Sequence, residues 1–76
     1  MTETTIKLST FVDVQAFVSI ITTFAFDIDL VSGRYIVDAK SIMGIYSLDL
    51  SNPIALRAHT EDAEELFAAI EKYIVE

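Results

Sequence analysis

A chain of 76 residues without a cysteine can fold in only one way. It must bury a single core with apolar side chains alone, because it has no disulfide or thiolate-bound metal to staple it. A core of that size is marginal unless apolar residues are abundant, and here 53% of residues are hydrophobic. One domain over residues 1–76 is therefore expected. The missing thiols also remove a cysteine nucleophile.

Charge narrows the function classes. The formal net charge is -7, and the five basic residues, Lys7, Arg34, Lys40, Arg57 and Lys72, stand singly. Binding to nucleic acid or anionic lipid rests on clustered lysine and arginine, so neither is an expected partner. The first residues, Met1 to Thr5, lack the positive flank of a signal peptide. The longest uncharged apolar stretch, Val14–Phe26 with Asp13 before it, spans about 13 residues against the roughly 20 a membrane helix needs. A cytoplasmic protein with no membrane contact is the expectation.

Periodicity gives an element order. Ile6 to Ser9 alternates apolar and polar, as a first strand would. Thr10 and Asp13 offer capping oxygens for a helix whose stripe runs through Phe17, Ile20, Ile21 and Phe24, widened by Val14, Val18 and Ala25. Asp27–Val31 and Arg34–Asp38 read as a hairpin about Ser32-Gly33. Ser41 can cap a short helical segment, Ile42–Leu48, and Asn52-Pro53 marks a loop. Ile54, Leu56 and Ala58 alternate with Ala55, Arg57 and His59 as a fourth strand. A last helix follows, capped by Thr60 and led by Glu61, Asp62, Glu64 and Glu65, with Ala63, Leu66, Phe67, Ile70, Tyr73 and Ile74 on one face. The order β-α-β-β-α-β-α suits an α+β fold, an open, largely antiparallel sheet with helices on one side.

The segment Val37-Asp38-Ala39-Lys40-Ser41-Ile42-Met43-Gly44-Ile45-Tyr46-Ser47-Leu48 resembles the regulatory-serine region of HPr, the histidine-containing phosphocarrier family of the sugar phosphotransferase system. Gly33 falls at that family's hairpin turn, and the element order agrees from Ile28 to the end. The resemblance implies the HPr-like open-faced β-sandwich, with a four-stranded sheet covered on one side by three helices.

The likeness breaks where the family's chemistry lies. Phosphocarriers place Gly-Ile/Leu-His-Ala-Arg-Pro-Ala at the start of the first helix. The best-matching stretch here, Phe11-Val12-Asp13-Val14-Gln15-Ala16-Phe17, sets Asp13 at the position of the histidine and Gln15 at that of the arginine. The sole histidine, His59, is far along the chain and reads as a strand-end residue. Phosphoryl transfer between proteins needs a nucleophilic nitrogen and a donor or cation for the phosphoryl oxygens, so phosphoryl carriage is not expected. Asp13 fits a helix cap; mimicry of a charged phosphohistidine and acyl-phosphate formation are the alternatives.

Ser41 is the position at which the resemblance implies regulation. It matches the serine that a dedicated ATP-dependent kinase phosphorylates in the family, after which the protein binds a catabolite-control transcription factor. The histidine-less regulatory branch typified by Crh is the most similar in type. Two function classes follow: a regulatory protein switched at Ser41, or an unswitched interaction module binding a partner or a second copy of itself. Phe11, Val12, Phe17, Ile42, Met43 and Tyr46 are the expected contact residues: Phe11, Val12, Val14, Phe17 and Val18 of the first helix cannot all enter a single core, and the resemblance implies docking through the apolar pair Ile42 and Met43 beside the serine. No catalytic residue, metal or cofactor is implied.

Overall fold

In the computed structural model, residues 1–75 are described. Strand β1 (Thr2–Ile6) leads to helix α1 (Phe11–Ile21), then to the hairpin β2 (Ile28–Ser32) and β3 (Tyr35–Asp38). Helix α2 (Ile42–Tyr46), strand β4 (Ile54–Ala58) and helix α3 (Glu64–Ala69) follow, and a 3₁₀ turn, Glu71–Tyr73, closes the helical part. The four strands form one sheet in the order β1-β4-β2-β3, with every neighbouring pair antiparallel. The three helices cover one face and leave the other open, the α+β sandwich expected from the element order.

Period-two alternation decides which side chains meet the helices. Ile54, Leu56 and Ala58 of β4 and Ile28 and Leu30 of β2 are buried, whereas Asp29 and Arg57 between them are not. From the helical layer come Val14, Phe17 and Ile21 of α1, Ile45 of α2, and Leu66 with Ile70 and Tyr73 from α3 and its extension. Phe17 sits edge-on to Tyr73, with ring centroids 5.7 Å apart and planes at 88°.

Several boundaries differ from the sequence expectation. The first strand is Thr2–Ile6 rather than Ile6–Ser9: its alternation is carried inward by Thr2 and Thr4, which hydropathy does not register but whose β-branched side chains suit a strand. Helix α1 stops at Ile21, before Phe24, because the hydroxyls of Thr22 and Thr23 donate back to the carbonyls of Ser19 and Ile20. Phe24 packs on Phe26 instead. Helix α2 ends at Tyr46, with Ser47 as its C-cap. Thr60 does not cap the last helix: its hydroxyl accepts from the Asp62 amide, and the helix begins only at Glu64, whose amide donates to the Asp62 carboxylate.

The turn between β2 and β3 needs Gly33, whose φ of 59° is the only positive value among the described residues. Positive φ at the first central position alone is the signature of a type II′ hairpin turn. In the loop before β4, Asp49 accepts from the Ser51 hydroxyl and amide and from Asn52, and these bonds hold its carboxyl below the usual carboxylate range. That contribution to stability is present at neutral pH and fades as pH falls through the lowered value.

The core assignment separates two phenylalanines of α1. Phe17→Ala should cost about 3–5 kcal/mol, a large part of what a domain this size has. Phe11→Ala should cost well under half as much. Urea titration followed by circular dichroism reads both, and equal losses would contradict the placement.

Candidate functional site

The start of α1 and the whole of α2 lie side by side and form one surface. The link is a stack of Phe11 on Tyr46, with ring centroids 5.6 Å apart and planes within 7°. Around it Phe11 is 60% exposed, Val12 69% and Met43 74%, while Tyr46 is at the edge of exposure. Ile42 is half-buried and packs against the core from beneath. The structure thus brings together five of the six contact residues expected from sequence. Phe17 is the exception. It is fully buried, six residues on from Phe11 and about 120° around the axis of α1, so it holds the helix to the core and is closed to a partner.

Asp13 is the third residue of α1 and completes a capping box. Its amide donates to Thr10 Oγ1 at 3.1 Å, and its Oδ2 accepts from the amides of Ser9 and Thr10 at 3.2 and 3.3 Å. The carboxylate therefore neutralises the free donors of the helix start, as expected of a cap. Among the described residues no group of three or more acidic or histidine side chains could hold a metal, so nothing gathers at Asp13 to support an acyl phosphate. His59 is on the open side of the sheet, its Nε2 2.8 Å from Asp29 Oδ2, away from the helical layer.

Ser41 is the N-cap of α2. Its Oγ accepts from the Gly44 amide at 3.2 Å, its own amide donates to the Asp38 carbonyl at 2.9 Å, and its carbonyl accepts from Ile45. Gly44 allows this arrangement: a Cβ there would stand 3.3 Å from both Ser41 Oγ and Val37 Cβ. The close approach of α2 to β3 was not evident in the sequence, where Gly44 reads only as a weak helix former. Lys40 precedes the serine and Met43 flanks it, so a hydroxyl, a cation and an exposed apolar side chain occupy one short turn.

The fold is an open-faced sheet under three helices, with a half-exposed serine capping the second. The family model for the PTS HPr component phosphorylation site matches residues 14–76, and the chain belongs to the HPr family. The match begins at Val14, immediately after Asp13. The crystal structure of HPr-C-His from Thermoanaerobacter tengcongensis is similar, with a TM-score of 0.80 and 33% identity over 95% of this chain and 89% of that one. So is that of the phosphocarrier protein HPr from Bacillus anthracis str. Ames, with a TM-score of 0.75 and 28% identity over 97% of this chain and 96% of that one. Among curated proteins there is no match. No helix among the described residues is long and apolar enough to cross a membrane.

The capping box gives a direct test. Thr10→Ala should lower stability by about 1 kcal/mol. Asp13→Asn, which keeps an acceptor but not the charge, should cost less than Asp13→Ala. Urea midpoints order the three, and a silent Asp13→Ala would remove the capping role.

Proposed function

We propose that this chain is a regulatory member of the HPr family that works by docking on proteins and does not carry phosphoryl groups. The observation behind this reading is a contrast between the starts of two helices that touch. At α1 the position matching the family's histidine holds Asp13, whose carboxylate is engaged by two backbone amides, and no arginine stands beside it. At α2 the Lys40-Ser41-Ile42-Met43-Gly44 segment keeps its serine, with Met43 and Tyr46 exposed and stacked Phe11 adjoining. The recognition surface is retained while the reacting group is not.

In this reading Ser41 is the switch. A phosphoryl group transferred from ATP to Ser41 Oγ, with the hydroxyl proton released and ADP leaving, adds close to two negative charges at the start of α2. The positive end of the helix favours that charge, and Lys40 is its nearest cation in sequence. The phosphate supplies strong acceptors for arginine or lysine on a basic regulatory partner, such as a catabolite-control transcription factor, and Ile42, Met43 and Tyr46 supply the apolar contact. The protein itself is not an enzyme here; the kinase is separate. The runner-up, an unswitched module, uses the same apolar face and gains from the exposure of Phe11 and Val12, which needs no phosphate to be useful.

Two measurements test this. Incubation with an HPr kinase and ATP should add one phosphate, mapped to Ser41 by intact and fragment mass, and Ser41→Ala should abolish it at a stability cost near 1 kcal/mol. Failure to label under conditions that fully modify a true HPr would leave the unswitched module. Incubation with enzyme I and phosphoenolpyruvate should add nothing. An acid-labile phosphate in the Phe11–Phe17 stretch would overturn the non-carrier reading.

A further inference from the structure

The two edges of the sheet are finished differently. Beside β1 the C-terminal residues run as an added strand: Ile74 bridges Ile6, the Val75 amide donates to the Thr5 carbonyl at 2.9 Å, and the Lys7 amide donates to the Tyr73 carbonyl at 2.8 Å. That edge is closed. The other edge, β3, has no strand beyond it among the described residues.

The pairing of β3 with β2 determines which backbone groups face outward. The Ala39 amide donates to the Ile28 carbonyl at 2.8 Å, and the register pairs Leu30 with Val37 and Ser32 with Tyr35. Hydrogen-bonded pairs alternate along an antiparallel ladder, so Ile36 and Asp38 direct their amides and carbonyls away from β2. The Asp38 carbonyl takes the Ser41 amide, which leaves Ile36 as the centre of the free edge. Its side chain is 61% exposed on the open face. A free edge with an apolar centre is a template for pairing unless it is blunted, and no inward-pointing charge, proline or bulge blunts this one.

The edge is complementary to itself. Residues 34, 36 and 38 read Arg, Ile, Asp. Laid antiparallel on a second copy with Ile36 opposite Ile36, each Arg34 comes opposite the other copy's Asp38. Opposite charges facing across strands are favourable and like charges are not. The next allowed register, with Ile36 opposite Asp38, instead sets Arg34 against Lys40, two cations. Neither Arg34 nor Asp38 has an ion-pair partner among the described residues; Asp38 Oδ1 accepts from the Lys40 amide at 2.9 Å, which leaves Oδ2 for a cation. On the open face the cross-strand row Thr5, Ala55, Val31, Ile36 would continue unbroken into the second copy.

We propose that β3 is a homodimer edge: two copies join antiparallel through reciprocal Ile36 backbone hydrogen bonds and two Arg34–Asp38 ion pairs, making one eight-stranded sheet. This surface is distinct from the Phe11–Tyr46 face, which stays free in the dimer. A strand edge of this length buries less than the roughly 1,200 Å² of a standard interface, so the association is weak.

Sedimentation equilibrium at physiological salt up to about 2 mM protein should show a monomer–dimer equilibrium in the high-micromolar to millimolar range. In heteronuclear NMR the Ile36 amide should gain exchange protection as concentration rises. Arg34→Asp and Asp38→Arg should each weaken the dimer roughly tenfold, by turning two attractions into repulsions. An equimolar mixture of the two variants should regain the dimer, because each variant then meets its opposite. Should Asp38→Arg fail to fold, Ile36→Lys serves as the second variant and should abolish the dimer without touching the core. A strictly monomeric wild type overturns the proposal. So does a dimer indifferent to these substitutions, a mixture that does not associate, or loss of the dimer in Phe11→Ser.

Discussion

The register of β4 between β1 and β2 is the constraint on which the rest of the molecule depends. With Leu56 opposite both Thr4 and Leu30, every inward position of the sheet falls in line: Ile54, Leu56 and Ala58 beside Ile28 and Leu30, all against the helices. A slip of β4 by one residue would put Arg57 into that layer and expose Ile54 and Leu56, at a cost of several kcal/mol for the unsolvated charge alone. The same register builds the open face. It aligns Glu3, Arg57, Asp29 and Asp38 in one cross-strand row, and Thr5, Ala55, Val31 and Ile36 in the next. The ion pair of Arg57 with Glu3, 2.7 Å between Nε and Oε1, and the contact of His59 with Asp29 belong to the charged side of this pattern.

What could be read from the sequence, and what could not, follows from the range of each interaction. Gly33 at the hairpin, the caps Thr10 and Ser41, and the alternation of Ile54, Leu56 and Ala58 are local signals, and the structure contains each of them. The order of elements was legible for the same reason. Thr60 was misjudged because a capping side chain is recognised only by the turn that follows it, and here that turn is taken up by Asp62. Phe17 was misjudged because α1 is apolar on most sides: which of Phe11 and Phe17 faces inward depends on the rotation of the helix about its axis. Tyr73 settles that rotation from the far end of the chain. The free edge at β3 lay beyond sequence reasoning, since it exists only once strand order puts β3 outermost and the C-terminal residues close the other side.

The candidate site shows one helix terminus used structurally and its neighbour left open to chemistry. A helix start presents unpaired amides and the positive end of a dipole, which must be met by something negative. At α1 that need is met within the chain, by Thr10 and Asp13 together, so little remains to stabilise an incoming phosphoryl group. At α2 it is met only by the neutral hydroxyl of Ser41, with no acidic residue in the first turn. A group that adds charge at Ser41 therefore meets no carboxylate within the first turn, although Asp38 stands three residues before it with Oδ1 on the Lys40 amide. A group arriving at the start of α1 would compete with a carboxylate already in place. In a chain of net charge -7 that asymmetry matters, because each further negative charge needs a local reason to be tolerated.

The stack of Phe11 on Tyr46 connects the two helices mechanically as well as spatially. It ties the first residue of α1 to the last residue of α2, so a shift of α2 is felt at the start of α1. On its other side α2 is held to β3 through the glycine-sized gap at Gly44, where even a methyl group would press on Val37 and Ser41 Oγ. A substituent on Ser41 Oγ changes the acceptor offered to the Gly44 amide, a bond that lies within α2 and apart from the sheet. The sheet is braced by the long-range pairings of β4 with both its neighbours, while α2 is a short helix with one fully buried side chain, Ile45. The element that bears the serine is therefore anchored to the core by a single fully buried side chain. Adjustment at that site can be confined to the exposed apolar face without disturbing the fold.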